Sequence, residues 1–300
     1  MIKVKLFTLV TLFTAIGLVV SFNSRSIQAE PVQQSAAAPI KVLMITGGGW
    51  HDYERQSVIL KETIESRLNA VVDVRWTSTQ EHPVKQVDTK IPHVFTTDFS
   101  KGYDVVLHNH CHVGFQDDAV INGVIDNHIQ NKVGVILTHG AFHSFKTSPD
   151  EAWDRICGCN SIRHVQHCPL EITIMDKDHP VTRALGVDGW QTSQGELYTT
   201  ELNEGTRNLA EGTTLKGPKK TDSCVFTHVL KEGNRVMGIT LGHHNSTMEQ
   251  EEYRQLIVHS VLWVAGKYDD NGALTSGYLV DAQSAPVPDS GQDEGTPEGF

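Results

Sequence analysis

Short apolar runs alternate with helical stripes through the first half of the chain. Lys41-Val-Leu-Met-Ile-Thr46, bounded by Pro39 and Gly47, reads as a buried parallel strand. Tyr53 to Asn69 carries Leu60, Ile64 and Leu68 at helical spacing. Val71 to Trp76 predicts a second strand, Asp104 to Leu107 a third and Gly134 to Thr138 a fourth. Between the last two, Val120, Ile121, Val124, Ile125 and Ile129 line one face of a helix over 119–129. Strand and helix in alternation predict a doubly wound, mostly parallel sheet with right-handed crossovers.

The second half is less regular. Glu151 to Ile156 reads as a short helix and Leu170 to Met175 as a strand. Cys224 to Leu230 and Arg235 to Leu241 flank Lys231-Glu-Gly-Asn234, a hairpin signal. Glu249 to Ala265 closes the pattern as an amphipathic helix, with no internal repeat anywhere.

The ends differ from the body. Lys3 and Lys5 precede an apolar run from Leu6 to Val20, and Ala29 offers a small residue for cleavage. That order predicts a signal peptide over 1–29 and a periplasmic or secreted protein. The run is barely long enough to span a bilayer, which needs about 20 residues, so cleavage is expected over anchoring. Residues 30–39 read as a linker, and the acidic stretch 268–300, rich in Pro, Gly and Ser, as a disordered tail. A formal charge of −11 argues against nucleic acid and anionic lipid as partners. Export allows disulfides, and proximity favours Cys168 with Cys157 or Cys159, although free buried thiols fit as well.

Sixteen histidines change the functional picture. His51 follows the first strand and Gly47-Gly-Gly49; His108, His110 and His112 follow the third; His139 and His143 follow the fourth; His243 and His244 follow the hairpin. Loops at the carboxyl ends of strands in a doubly wound sheet meet over one crevice. Several neutral imidazoles with a carboxylate there would suit a divalent transition metal such as zinc. The pattern lacks the HExxH spacing of zinc proteases. Gly47-Gly-Gly49 lacks the Lys-Ser/Thr of a phosphate loop and the GxGxxG spacing, so no nucleotide cofactor is expected.

Five segments resemble the ThuA-like (trehalose utilisation) family: "VLMITGGGWHD" (42–52), "KVGVILTHGAFHSF" (132–145), "DKDHPVTRAL" (176–185), "GELY" (195–198), and "RVMGITLGHHN" with "YRQLIVHSVLWVAG". The resemblance covers about 40–267 and implies a flavodoxin-like three-layer α/β/α sandwich of the class I glutamine amidotransferase-like kind. Where that superfamily keeps its nucleophilic cysteine, this chain has Thr138-His139-Gly140 and no cysteine, which argues against thiol-based amide hydrolysis. Gly195 stands where the family often has aspartate. The resemblance carries over His51, His139, Glu196 and His243, and implies metabolism of trehalose or a related disaccharide or keto-glycoside, with metal in some members. Together the two readings give three roles. His51, Glu196 and His139 are the catalytic candidates; Trp50, Asp52, Tyr198 and His143 are candidates for binding a small carbohydrate; His110, His112, His139 and His243 are candidate metal ligands. Two other functions compete: a sugar-binding protein without turnover, and an amidotransferase relative relying on Cys111. Homo-oligomerisation is left open.

Overall fold

Among the described residues nine strands form one sheet, and its first half follows the expected alternation. The computed structural model describes residues 37–77, 93–149 and 152–280. In chain order the elements are β1 (Ile40–Gly48), α1 (Tyr53–Arg67), β2 (Ala70–Trp76), β3 (Val105–Cys111), α2 (Asp118–Asn131), β4 (Gly134–Thr138), α3 (Ala152–Cys157), β5 (Cys159–His164), β6 (Leu170–Ile174), α4 (Pro180–Leu185), β7 (Gly189–Gln191), β8 (Tyr198–Leu202), β9 (Arg207–Thr214), β10 (Thr221–Val229), β11 (Arg235–Ile239), α5 (Asn245–Met248) and α6 (Glu251–Val264). The sheet order is β2-β1-β3-β4-β11-β10-β9-β6-β7. Strands β2 through β11 of that order pair parallel. The hairpin strand β10 then opens an antiparallel extension through β9, β6 and β7. β5 and β8 form a separate antiparallel ribbon.

Period-two alternation divides the core into two layers. Val42 and Met44 of β1 pack with Ile59, Leu60 and Ile64 of α1 and with the buried face of α6. Leu43 and Ile45 pack on the other side with Ile121, Val124 and Ile125 of α2 and Trp153 and Ile156 of α3. Both faces of the parallel strands are thereby covered, which gives the three layers of a flavodoxin-like sandwich.

Local chemistry sets the helix ends. Asp52 caps α1 by accepting from the Arg55 amide at 3.2 Å. Asp117 does the same for α2 through Val120. The "DKDHP" segment is a cap as well: Asp176 Oδ1 accepts from the amides of Asp178 and His179, and Pro180 opens α4.

Two expectations are corrected here. The acidic composition after Lys267 does not leave 268–280 loose. Tyr268 is buried, the Asn69 amide donates to the Tyr278 carbonyl at 2.7 Å, and Leu274 and Tyr278 pack on the core. All five cysteines are buried free thiols, so neither Cys157 nor Cys159 bridges Cys168. Denatured, unreduced protein is therefore expected to titrate five thiols with a thiol reagent; three would mean that a disulfide forms. The expected signal peptide, most of the expected linker and residues 281–300 lie outside the described residues. No described helix is long and apolar enough to cross a membrane.

Candidate metal and carbohydrate site

Three chain segments converge at the carboxyl ends of the parallel strands, and each has a local reason to be there. β4 ends at His139, whose φ of 34° turns the chain sharply and points the ring inward. The following Gly140 has no room for a side chain: a Cβ would lie 2.8 Å from Tyr53 Oη and 2.9 Å from His51 Cε1. β11 is followed by Gly242, with φ of 106°, and then His243. Segment 165–168 runs antiparallel to 195–197 and continues the β5–β8 ribbon; Val165 N donates to Leu197 O and Cys168 N to Gly195 O, both at 2.9 Å. That ribbon delivers Glu196. At Gly195 a Cβ would come within 2.8 Å of Leu170 Cγ, so packing leaves no room for the family's aspartate.

The centre is a triangle. His139 Nε2 lies 3.1 Å from Glu196 Oε2 and 3.2 Å from His243 Nδ1, and His243 Nδ1 lies 3.3 Å from Glu196 Oε2. His51 sits edge-on to both rings, at centroid distances of 4.8 Å and 4.9 Å, with its Nδ1 2.8 Å from Tyr53 Oη. Tyr198 Oη is 3.2 Å from His139 Nε2. The other carboxylate oxygen, Oε1, faces His164 Nδ1 at 2.8 Å and His167 Nε2 at 3.0 Å.

Protonation follows from these contacts. His139 Nδ1 is 2.6 Å from the Thr240 carbonyl, which can only accept, so Nδ1 carries the hydrogen. Burial lowers the His139 pKa against the opposing pull of Glu196, so at neutral pH its Nε2 is a bare lone pair. Burial pushes Glu196 up, but the surrounding imidazoles, with His164 Nδ1 donating to Oε1, outweigh it and hold the carboxyl well below the usual range. His51 is likewise held neutral, first by burial and then by its two imidazole neighbours. A bare nitrogen, a carboxylate oxygen and a second ring nitrogen thus converge, 3.1–3.3 Å from one another. Ligands about 2.1 Å from a tetrahedral zinc are separated by roughly 3.4 Å, so the donor set fits a divalent transition metal. The pattern is two histidines and one glutamate with His51 beside them, all four within reach of one ion.

The other candidates divide. Tyr198 joins the site directly. His143 stands one layer out, stacked on Tyr198 at 4.0 Å with its Nε2 2.9 Å from Ser161 Oγ. Trp50 is 54 % exposed on the loop before His51, with φ of 80°. Asp52 is engaged elsewhere: it caps α1 with one oxygen and accepts from Asn245 Nδ2 at 2.8 Å with the other. His110 and His112 do not join the metal-site candidates. β3 runs on through Cys111, and its alternation turns His108 and His110 towards the α2–α3 layer, beside Phe95, Phe145 and Trp153. Cys111 faces the other way, towards Gly140. Burial pushes its thiol up to about 12, so no thiolate forms at neutral pH. A folded Cys111→Ser variant is accordingly expected to keep its turnover; loss of all activity in a folded variant would restore the amidotransferase reading.

Sequence reasoning passed over His164 and His167. Their H-x-x-H spacing was the available signal.

The fold and site define a flavodoxin-like α/β protein with a histidine–glutamate cluster at the carboxyl ends of its parallel strands. The chain belongs to the ThuA family, described as trehalose utilisation, whose sequence pattern matches residues 41–264. Two solved structures are similar in fold. A ThuA-like protein from Parabacteroides merdae is 22 % identical with a TM-score of 0.60, covering 76 % of this chain and 90 % of that one. A ThuA-like protein from Bacteroides uniformis is 15 % identical with a TM-score of 0.57, covering 79 % and 95 %. No curated protein is similar enough to match. Family membership places the chain in carbohydrate metabolism.

Proposed function

We propose that this protein is an exported, metal-dependent enzyme that acts on trehalose or a related disaccharide or keto-glycoside. The observation that carries the reading is the triangle of His139 Nε2, Glu196 Oε2 and His243 Nδ1 at 3.1–3.3 Å. These three residues would hold the ion. A divalent transition metal bound there would supply a Lewis acid for a carbonyl or hydroxyl oxygen of the sugar. His51, neutral and beside the triad, accepts the proton that the reacting hydroxyl releases, and Tyr53 Oη fixes its ring. Tyr198 Oη, 3.2 Å from His139 Nε2, is placed to hydrogen-bond a sugar held at the ion. Trp50, exposed at the edge of the same loop, offers a flat face for a sugar ring.

The test combines metal analysis with product analysis. The full-length chain, purified without chelator, is expected to retain at least one equivalent of transition metal. It is expected to convert trehalose or its 3-keto derivative, and to stop when the metal is stripped. Metal-free protein whose turnover ignores chelators would remove the metal. Tight sugar binding with no product over long incubation would leave a binding protein instead.

A further inference from the structure

Glu196 presents two oxygens, and only one of them is used by the triad. Oε1 lies 3.0 Å from His167 Nε2. His167, His243 and His244 form a second group whose ligand atoms lie within 4.8 Å of one another. Their rings are close in every pairing: 4.3 Å between His167 and His243, 4.6 Å between His243 and His244, 5.1 Å between His167 and His244. His244 Nε2 is buried and has no hydrogen-bond partner, a costly state for a ring nitrogen unless something else occupies its lone pair or proton.

His164 does not belong to this second group. Its Nδ1 lies 3.1 Å from the Val165 carbonyl and so carries a hydrogen, which it shares with Glu196 Oε1. It holds the carboxylate in place. The nitrogens left to ligate are those of His167 and His244.

We infer that the site holds two divalent transition metal ions bridged by Glu196. The inner ion takes His139, His243 and Oε2, and the outer ion takes His167, His244 and Oε1. The inference rests on the inner site proposed above. A carboxylate that bridges through its two oxygens sets a pair of ions roughly 3.5–4 Å apart, the separation used by two-metal hydrolytic centres. The outer ion would lie on the solvent side, because His167 is half exposed whereas His139 and Glu196 are buried. An incoming sugar would meet it first.

Cobalt(II) alone is the probe. Titrated into the metal-stripped full-length chain, it is expected to saturate at two equivalents. Low-temperature electron paramagnetic resonance should show less signal per ion at the second equivalent than at the first, because adjacent spins couple. His244→Ala is expected to bind one equivalent with an uncoupled spectrum. His167→Ala, altered at a half-exposed position, should do the same and covers the case in which His244→Ala fails to fold. Saturation of wild type at one equivalent would overturn the second ion and leave the inner site standing. Two equivalents whose signals simply add would place the ions apart and overturn the bridge. No binding at all would overturn the inner site as well.

Discussion

Glu196→Gln is expected to keep the fold and lose the metal. Glutamine has the shape of glutamate, and the pocket itself dictates which way its amide points. His164 Nδ1 bears a hydrogen, so the amide oxygen turns towards the Oε1 position to accept it. The amide NH2 then occupies the Oε2 position, 3.1 Å from the bare Nε2 of His139, and can donate to it. The amide is thus satisfied by His164 and His139, and the spot where three donor atoms converged is now closed by an N–H. Changes in residues that only support a ligand cost about 10- to 100-fold in metal affinity, so loss of a ligand should exceed about 100-fold. Zinc or cobalt at a thousand times the wild-type Kd stabilises a folded protein by about 4 kcal/mol; the variant should show little of that. Calorimetric titration and thermal denaturation with and without metal read both effects. A variant that binds metal as tightly as wild type would remove Glu196 from the site.

The contrast between His139 and His110 shows what the sequence could reveal about this site. Residues at the carboxyl ends of β4 and β11 were legible, because a parallel strand announces itself as an apolar run and the loop after it must lie over the crevice. His139 and His243 sit where that rule puts them. His108 and His110 do not, because β3 extends four residues past its apolar stretch. A strand buried on both faces can carry polar residues if they pair with one another, and nothing in Val105-Val-Leu-His-Asn-His-Cys111 marks where it stops. Once the strand is known to run on, parity alone assigns its side chains to opposite layers. Glu196 was visible only through its family motif; its placement depends on the β5–β8 ribbon, a long-range pairing that brings residues 159–164 against 198–202. His164 and His167 come with the same ribbon. Ordering of 268–280 was hidden for a related reason: Tyr268 and Tyr278 anchor an acidic segment whose average composition argues for disorder.

Stability is expected to collapse between pH 6.5 and about 4, and the buried histidines of the α2–α3 layer are the cause. They form a directional wire. His128 Nδ1 donates to the Val124 carbonyl at 2.6 Å, which leaves its Nε2 to accept from His108 Nε2 at 2.9 Å. His108 Nδ1 then accepts from His110 Nε2 at 2.8 Å, and His110 Nδ1 accepts from Ser144 Oγ at 2.9 Å. Each ring has one hydrogen and one lone pair, both used, and an added proton would have no acceptor. Burial lowers the pKa of His128 to about 4; burial and then neighbouring imidazoles hold His108 and His110 well below their ordinary value. Unfolded histidine titrates near 6.5. The folded pKa values lie below the unfolded ones, so above pH 6.5 neither state takes up protons and the wire is neutral to stability. Between 6.5 and about 4 the unfolded chain binds protons that the folded chain refuses, so the free energy of unfolding falls as pH falls. For His128 alone the loss reaches about 3 kcal/mol at pH 4, from a shift of roughly two and a half pKa units. His179 and His259, lowered to about 4 chiefly by burial, add in the same direction. A domain is stable by about 5–15 kcal/mol in total, so these histidines suffice to unfold it in acid. Urea denaturation of the metal-stripped chain at pH 7.5, 6, 5 and 4, followed by circular dichroism, should show the decline, and the slope below pH 6 should correspond to uptake of several protons. His128→Leu should shrink that slope by about one proton, at the cost of a lower starting stability because His108 loses its acceptor. A stability that stays level from pH 7.5 to 4 would mean that these rings are not buried as neutral imidazoles.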